Sequence, residues 1–381
     1  MLKEFEGVNV YVVKVASRCN LNCSYCYMYN MGDQTYLKQP KFITLDIISE
    51  FSSKLKNHIL KYKLKSVDIS FHGGEPLLWG SDNIIKAKNI IENIIKNDVD
   101  VLTFAIQTNG VLLTETMIKK FKDEKISIGV SLDGLKDNHD KYRVDHKGEG
   151  SFETVIKNFP LLRKYQGELA IISVVNLEIS PIEYLLFLKE HNVTSLNLIL
   201  PDSTHDKLPE GYSSLADTSS RKYGKWLATF FDSWISGFET NPIRINLLET
   251  IIGLLSGRNF KHPMFGDGYN KVAVLESDGA LEVADYLRVT ESGYTRNRLT
   301  IGSNEIDELT NDESFITHYF AKKNLCNTCK SCELEKICKG GDTQQRYKST
   351  NGFDNPSMFC EDIKFIINHI NNYLKKQIEV I

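Results

Sequence analysis

The chain has 381 residues, 41% of them hydrophobic, and a formal net charge of −3 from 46 basic and 49 acidic side chains. That is enough for one large domain plus a smaller one, and it offers no broad positive field for gripping a phosphate backbone, which argues against nucleic acid as a partner. No apolar run reaches membrane-spanning length and Met1-Leu2-Lys3-Glu4 opens no signal peptide, so a cytoplasmic protein without a membrane partner is expected.

Residues 8–16, VNVYVVKVA, are apolar and β-branched and predict a buried strand that ends at a cysteine loop. Thr44 to Tyr62 shows helical spacing, residues 67–76 read as a strand running into glycines, and Asn83 to Lys96 is helical again. The alternation continues with strands at 101–110, 126–134, 169–176 and 195–201, and with helices from Thr114, Phe152 and Pro181. Six β/α units imply a parallel sheet, and the expected fold is α/β, a partial (β/α)6 TIM-like barrel over residues 1–235. Each polar or glycine-rich motif falls at the C-terminal end of a strand, the rim where barrels gather their chemistry. The stretch from Asp202 to Arg221 reads as a long excursion, a candidate lid, on that rim. Helices follow at 222–236 and 244–256, with 236–270 expected as a helical linker region. A hairpin turning at Asp278-Gly279, a cysteine-rich tail and a helix from Glu361 then form a small domain over 271–381.

The chain has eight cysteines, three between Cys19 and Cys26 and five between Cys326 and Cys360. A reducing compartment makes them poor disulfide candidates, and clustering at the two ends points to metal or redox chemistry. Cys19, Cys23 and Cys26 supply three thiolates with no fourth in reach. Three such ligands can hold three irons of a 4Fe–4S cube and leave the fourth iron open for an exchangeable molecule. The alternative is a zinc site completed by His72 or an acid.

The spacing Cys19-x3-Cys23-x2-Cys26, with Tyr25 before the last cysteine and the loop following the first strand, resembles the signature of the radical S-adenosylmethionine (SAM) enzymes. The resemblance implies a 4Fe–4S cluster whose open iron is chelated by S-adenosyl-L-methionine. One electron would cleave the cosubstrate to a 5′-deoxyadenosyl radical that abstracts hydrogen. It also gives the rim motifs roles. Gly73, Gly74 and Glu75 would meet the methionine ammonium, and Asn109 sits on the next strand end. Ser131 and Asp133 would hold the ribose, and Arg143 would fork onto the methionine carboxylate. Taken singly, each also reads as a cap, a turn or a surface charge.

The tail, Cys329-x2-Cys332-x5-Cys338 followed by Cys360, resembles the SPASM extension of radical SAM peptide and protein maturases. Cys329, Cys332, Cys338 and Cys360 match one auxiliary 4Fe–4S cluster. The pattern of the other is broken, with Asp342 and Ala284 where cysteines are expected, and Cys326 is left over. A zinc site is the alternative here too. Together with GFDNPSMFCEDI, Gly340-Gly341 and Arg346-Tyr347, the two ends resemble the cyclophane-forming branch of these maturases, in FxSxx-type systems. Such enzymes join an aromatic ring to a Cβ of a ribosomally synthesised precursor peptide. An electron donor such as flavodoxin or ferredoxin is implied. A radical peptide epimerase, a thioether-forming maturase and a sulfatase-activating oxidase are the alternative enzymes, and an iron–sulfur carrier or zinc-stabilised module the non-enzyme alternative.

No catalytic residue is assigned. Asp202, Glu276, Asp285 and Asp342 are the acids expected near substrate, though such residues are more commonly solvated. With so few residues before the first strand, no separate leader-binding domain is expected, and a leader would be read by strand addition or by another protein.

Overall fold

A computed structural model describes residues 4–237, 242–260 and 262–379. Residues 238–241 and 261 of the expected linker, the first three residues, and the last two of the tail lie outside that description. The chain divides into two compact units. The first comprises Met1–Ser131, Tyr142–Gly167 and Lys271–Tyr319, and the second Leu132–Lys141, Glu168–Asn270 and Phe320–Ile381.

In the first unit, strands β1 (Val10–Ala16), β2 (Ser66–Gly73), β3 (Val101–Thr108) and β4 (Ile126–Ser131) pair in parallel in that order. Their β-branched and aromatic residues fill the core: Val13, Val15, Val67, Ile69 and Phe71 are almost wholly buried. The helix Leu45–Tyr62 begins where Thr44 accepts a hydrogen bond from Ile47 N, and Glu115–Asp123 begins on the same cap made by Thr114. The single helix expected from Phe152 is two, Phe152–Ile156 and Phe159–Gln166. Pro160 accounts for the break, because proline fits the first turn of a helix and not its interior.

The hairpin departs from its expected domain. Its first strand, β8 (Val272–Leu275), pairs in parallel with β1, Val10 opposite Val272, and β9 (Leu281–Glu282) pairs antiparallel with β8. Ala273, Val274 and Leu275 are thus buried at the free edge of β1, and the hairpin belongs to the first unit while the cysteine-rich tail belongs to the second.

In the second unit, β5 (Ala170–Val174), β6 (Ser195–Ile199) and β7 (Arg244–Ile245) are parallel. The helices Lys222–Ser236 and Cys360–Glu379 pack closely, with Phe231 on Tyr373, while Tyr223 packs on Phe359 just before the second helix. Residues 202–212 are stitched down, contrary to a free lid. His205 donates its backbone N–H to Tyr347 O at 2.9 Å, Gln344 Nε2 donates to Asp202 Oδ1 at 3.0 Å, and Tyr212 Oη bonds Asp362 at 2.7 Å. The fold is α/β with a mostly parallel sheet. Among the described residues no helix is long and apolar enough to cross a membrane.

Candidate active site

The cysteine loop of the first unit leaves β1 and is fastened on both sides. Asn22 N donates to Val144 O at 2.7 Å, Ser24 N to Tyr142 O at 3.1 Å, and His146 Nε2 lies 3.0 Å from Cys19 O. Cys19, Cys23 and Cys26 are in no disulfide, and each is partly exposed. Burial pushes Cys19 up to about 12, and Glu75, Cys23 and Cys26 add to this while the Leu21 N–H opposes it; burial and Cys23 push Cys26 up to about 11. The three sulfurs therefore feel one another's charge, a cost that a cationic iron–sulfur core would relieve. Among the described residues no group of three or more His, Cys, Asp or Glu is arranged to hold a single metal ion.

The glycines after β2 serve a close approach, to the protein itself. A Cβ on Gly73, at φ +140°, would stand 2.1 Å from Ala16 O, and one on Gly74 would stand 2.4 Å from Arg18 O. Their smallness lets Gly74 N donate to Ala16 O and Glu75 N donate to Arg18 O, tying the strand end to the start of the cysteine loop. Glu75 is fully buried. Its Oε1 accepts from Leu77 N and Thr108 Oγ1, and its Oε2 from Asn109 N, all within 2.9 Å. Three of its four lone-pair positions are used, which leaves one on Oε2 for an ammonium donor. Burial nevertheless raises its carboxyl to about 7.

Asn109 and Tyr25–Arg143 join the same region: Asn109 Nδ2 reaches Cys19 Sγ at 3.6 Å, and Arg143 Nη1 donates to Tyr25 Oη at 2.8 Å. Ser131 Oγ accepts from Gln107 Nε2 at 2.9 Å, and Gly129 makes room for that glutamine. Asp133 belongs to the second unit, where its Oδ1 accepts from Val174 N at 2.9 Å and its own N–H points to His139 Nδ1.

Two of the acids expected near substrate are buried in ion pairs. Asp285 Oδ2 pairs with Lys14 Nζ at 2.6 Å and accepts from Tyr27 Oη at 2.8 Å, and despite burial its pKa falls below the usual carboxylate range because Lys14 and His72 are beside it. Glu276 is wholly buried against Arg288 at 2.8 Å, and Arg288 also holds Glu282 at 3.0 Å and Asp33 at 3.2 Å. Sequence reasoning missed Lys14, Tyr27 and Arg288. Lys14 had a signal: it is the single charge inside the apolar run of β1.

In the second unit, Cys329, Cys332, Cys338 and Cys360 come together with Cys326. Burial and a contact with Cys326 push Cys329 up to about 12, with Cys338 and Cys360 adding to it; burial, Cys360 and Cys332 do the same to Cys338. After Cys338 the backbone takes three successive left-handed residues, Lys339, Gly340 and Gly341. That turn sits between Leu325 and Ser357, the approaches to Cys326 and Cys360, which a Cβ on Gly340 or Gly341 would meet at 3.0 and 3.1 Å. These five thiols feel one another's charge, and they are one more than the four thiolates that a closed iron–sulfur cube takes. Asp342, the residue after that turn, has its carboxyl raised to about 6 by burial, with Lys322 opposing.

A fold of parallel strands with a three-cysteine loop after the first defines a class. Residues 13–198, just under half of the chain, match the profile of the Radical SAM superfamily. Along its length the chain is 27% identical to a cysteine-type anaerobic sulfatase-maturating enzyme of Clostridium novyi, covering 94% of each, and 26% identical to a serine-type enzyme of Bacteroides thetaiotaomicron, covering 96% of this chain and 90% of that one. Among solved structures, native anSMEcpe with bound AdoMet superposes with a TM-score of 0.80 at 22% identity over 98% of this chain and all of that one. SuiB of Streptococcus suis bound to its precursor peptide SuiA superposes at 0.60 and 16% identity, over 94% and 77%. These likenesses are of fold.

Proposed function

We propose that this chain is a radical SAM maturase of the anaerobic sulfatase-maturating type, which oxidises a Cys or Ser side chain in a protein or peptide. The observation that carries the reading is the full-length similarity to both cysteine-type and serine-type maturases, combined with a fastened loop of three thiols. In this reading Cys19, Cys23 and Cys26 hold the SAM-binding cluster, and Cys329, Cys332, Cys338 and Cys360 hold one auxiliary cluster. When bound, the first cluster and its cosubstrate supply the 5′-deoxyadenosyl radical that removes a hydrogen atom from the substrate Cβ.

The chain's own residues bind and orient. Gly73 and Gly74 bring the β2 end against the loop, Glu75 offers its remaining lone pair to the methionine ammonium, and Arg143, steadied by Tyr25, offers its guanidinium to the methionine carboxylate. Ser131 supplies a hydroxyl for the ribose, the role that its motif also gives Asp133. A cyclophane crosslink is the second reading. It is favoured by the tail motifs and by Ala284 and Asp342, which stand where the pattern of a second auxiliary cluster has cysteines.

Peptides bearing a Cys or a Ser, incubated anaerobically with reconstituted protein, S-adenosyl-L-methionine and reductant, separate the readings. The proposal predicts a product that a hydrazine probe captures, since oxidation of either side chain leads to an aldehyde. A product lighter by two hydrogens that the probe ignores would replace it with crosslinking.

A further inference from the structure

We propose that Asn109 is a positioning residue that tunes the reduction potential of the cluster held by the Cys19 loop; this rests on the reading of that loop as the SAM-binding site. The asparagine stands at the turn after β3 and touches three segments at once. Its backbone N–H donates to Glu75 Oε2 at 2.8 Å, anchoring it to a fully buried carboxylate at the end of β2. Its Oδ1 accepts from Val111 N at 3.0 Å, which fixes the amide plane and leaves no choice of which end faces the loop. The Nδ2 then donates to Asn20 Oδ1 at 2.8 Å and to Cys19 Sγ at 3.6 Å. Leu21 N, 3.4 Å from the same sulfur, is the second donor.

An N–H directed at a cluster sulfur draws off negative charge, so it stabilises the reduced cluster more than the oxidised one and raises the potential. Asn109 is 6% exposed, and a donor in so dry a place is little screened. The geometry also explains why Glu75 spends an oxygen on a backbone N–H: it locks the residue whose side chain addresses the thiolate. Losing that donor makes the cluster harder to reduce while leaving its three ligands in place.

The test is a potentiometric titration, followed by electron paramagnetic resonance, of the full reconstituted chain and of Asn109→Leu and Asn109→Asp. The signal of a chain lacking Cys19, Cys23 and Cys26 is subtracted to remove the tail cluster. Asp keeps the acceptor for Val111 N while removing the donor, so it stands in if Leu fails to fold. Both variants should retain iron, and at the wild-type midpoint their reduced-to-oxidised ratio should fall about tenfold, about 59 mV for one electron. Full iron with an unchanged midpoint overturns the inference alone, as does weakened cosubstrate binding without a shift, which would make Asn109 a direct contact. Iron lost from both variants would mean that Asn109 merely holds the loop, and that outcome overturns it too. A wild-type chain that assembles no cluster at this loop would sink the functional reading first, and the inference with it.

Discussion

Glu75 is read by its motif as a ligand-facing acid, yet most of its bonding capacity is spent on Leu77, Thr108 and Asn109. The motif was legible in the sequence; the partners Thr108 and Asn109, more than thirty residues away at the end of another strand, were not. Glu276 and Asp285 went the same way, because nothing local announces that Arg288 and Lys14 will meet them in a dry interior. For Glu75, burial lifts the folded carboxyl from 4.5 to about 7. A raised folded pKa means that its contribution to stability is complete below about 4.5 and is lost as pH rises to about 7. Unfolding free energies of wild type and Glu75→Gln, measured by urea at several pH values, should therefore shift against wild type by about 3 kcal/mol across that window. A constant difference would contradict the burial argument. Glu75→Ala, which strands buried N–H groups, should also weaken S-adenosyl-L-methionine binding by roughly tenfold or more.

Among elements, strands and helices were readable wherever periodicity was long; the break at Pro160 has a local cause, whereas the ties of Asp202 and Tyr212 to the tail reach across the sequence and nothing local announces them. The hairpin was readable as a hairpin, but its parallel partner β1 lies more than two hundred residues away and no pattern within it names that partner. Buried charges lie in and just after its strands. Arg288→Met leaves Glu276 and Glu282 without their shared cation and should cost about 3–5 kcal/mol in thermal or urea unfolding, with iron content unchanged. A loss below about 1 kcal/mol would mean that the network contributes little. In the second unit, a Cβ on Gly224 would stand 2.7 Å from Asp362 O and 2.9 Å from its Cα. Helix propensity favours alanine by about 1 kcal/mol. The collision is with backbone atoms that cannot swing aside, so Gly224→Ala is expected to destabilise by about 1–3 kcal/mol on balance. A more stable variant would show that the two helices part easily.

At the scale of the whole chain, the alternation of strands and helices and the two cysteine groups were enough to read an α/β fold that matches the Radical SAM profile over residues 13–198, with a cysteine-rich tail. The choice among maturase chemistries was not legible, since hydrogen abstraction from a Cβ opens both oxidation and crosslinking and the residues that separate them meet a substrate the sequence does not contain. Cluster number is countable. Reconstituted protein should carry about eight irons per chain, four for each cube, and about twelve would mean that a second auxiliary cluster forms despite Ala284 and Asp342.

The central claim is that Cys19, Cys23 and Cys26 host cleavage of S-adenosyl-L-methionine. The most direct measurement is 5′-deoxyadenosine formed under reducing, anaerobic conditions by the wild-type chain and by a variant with all three replaced by alanine. The account predicts 5′-deoxyadenosine from the wild type and none from the variant, which should still hold about four irons in its tail. The same nucleoside from the variant, or none from an iron-replete wild type, would contradict it.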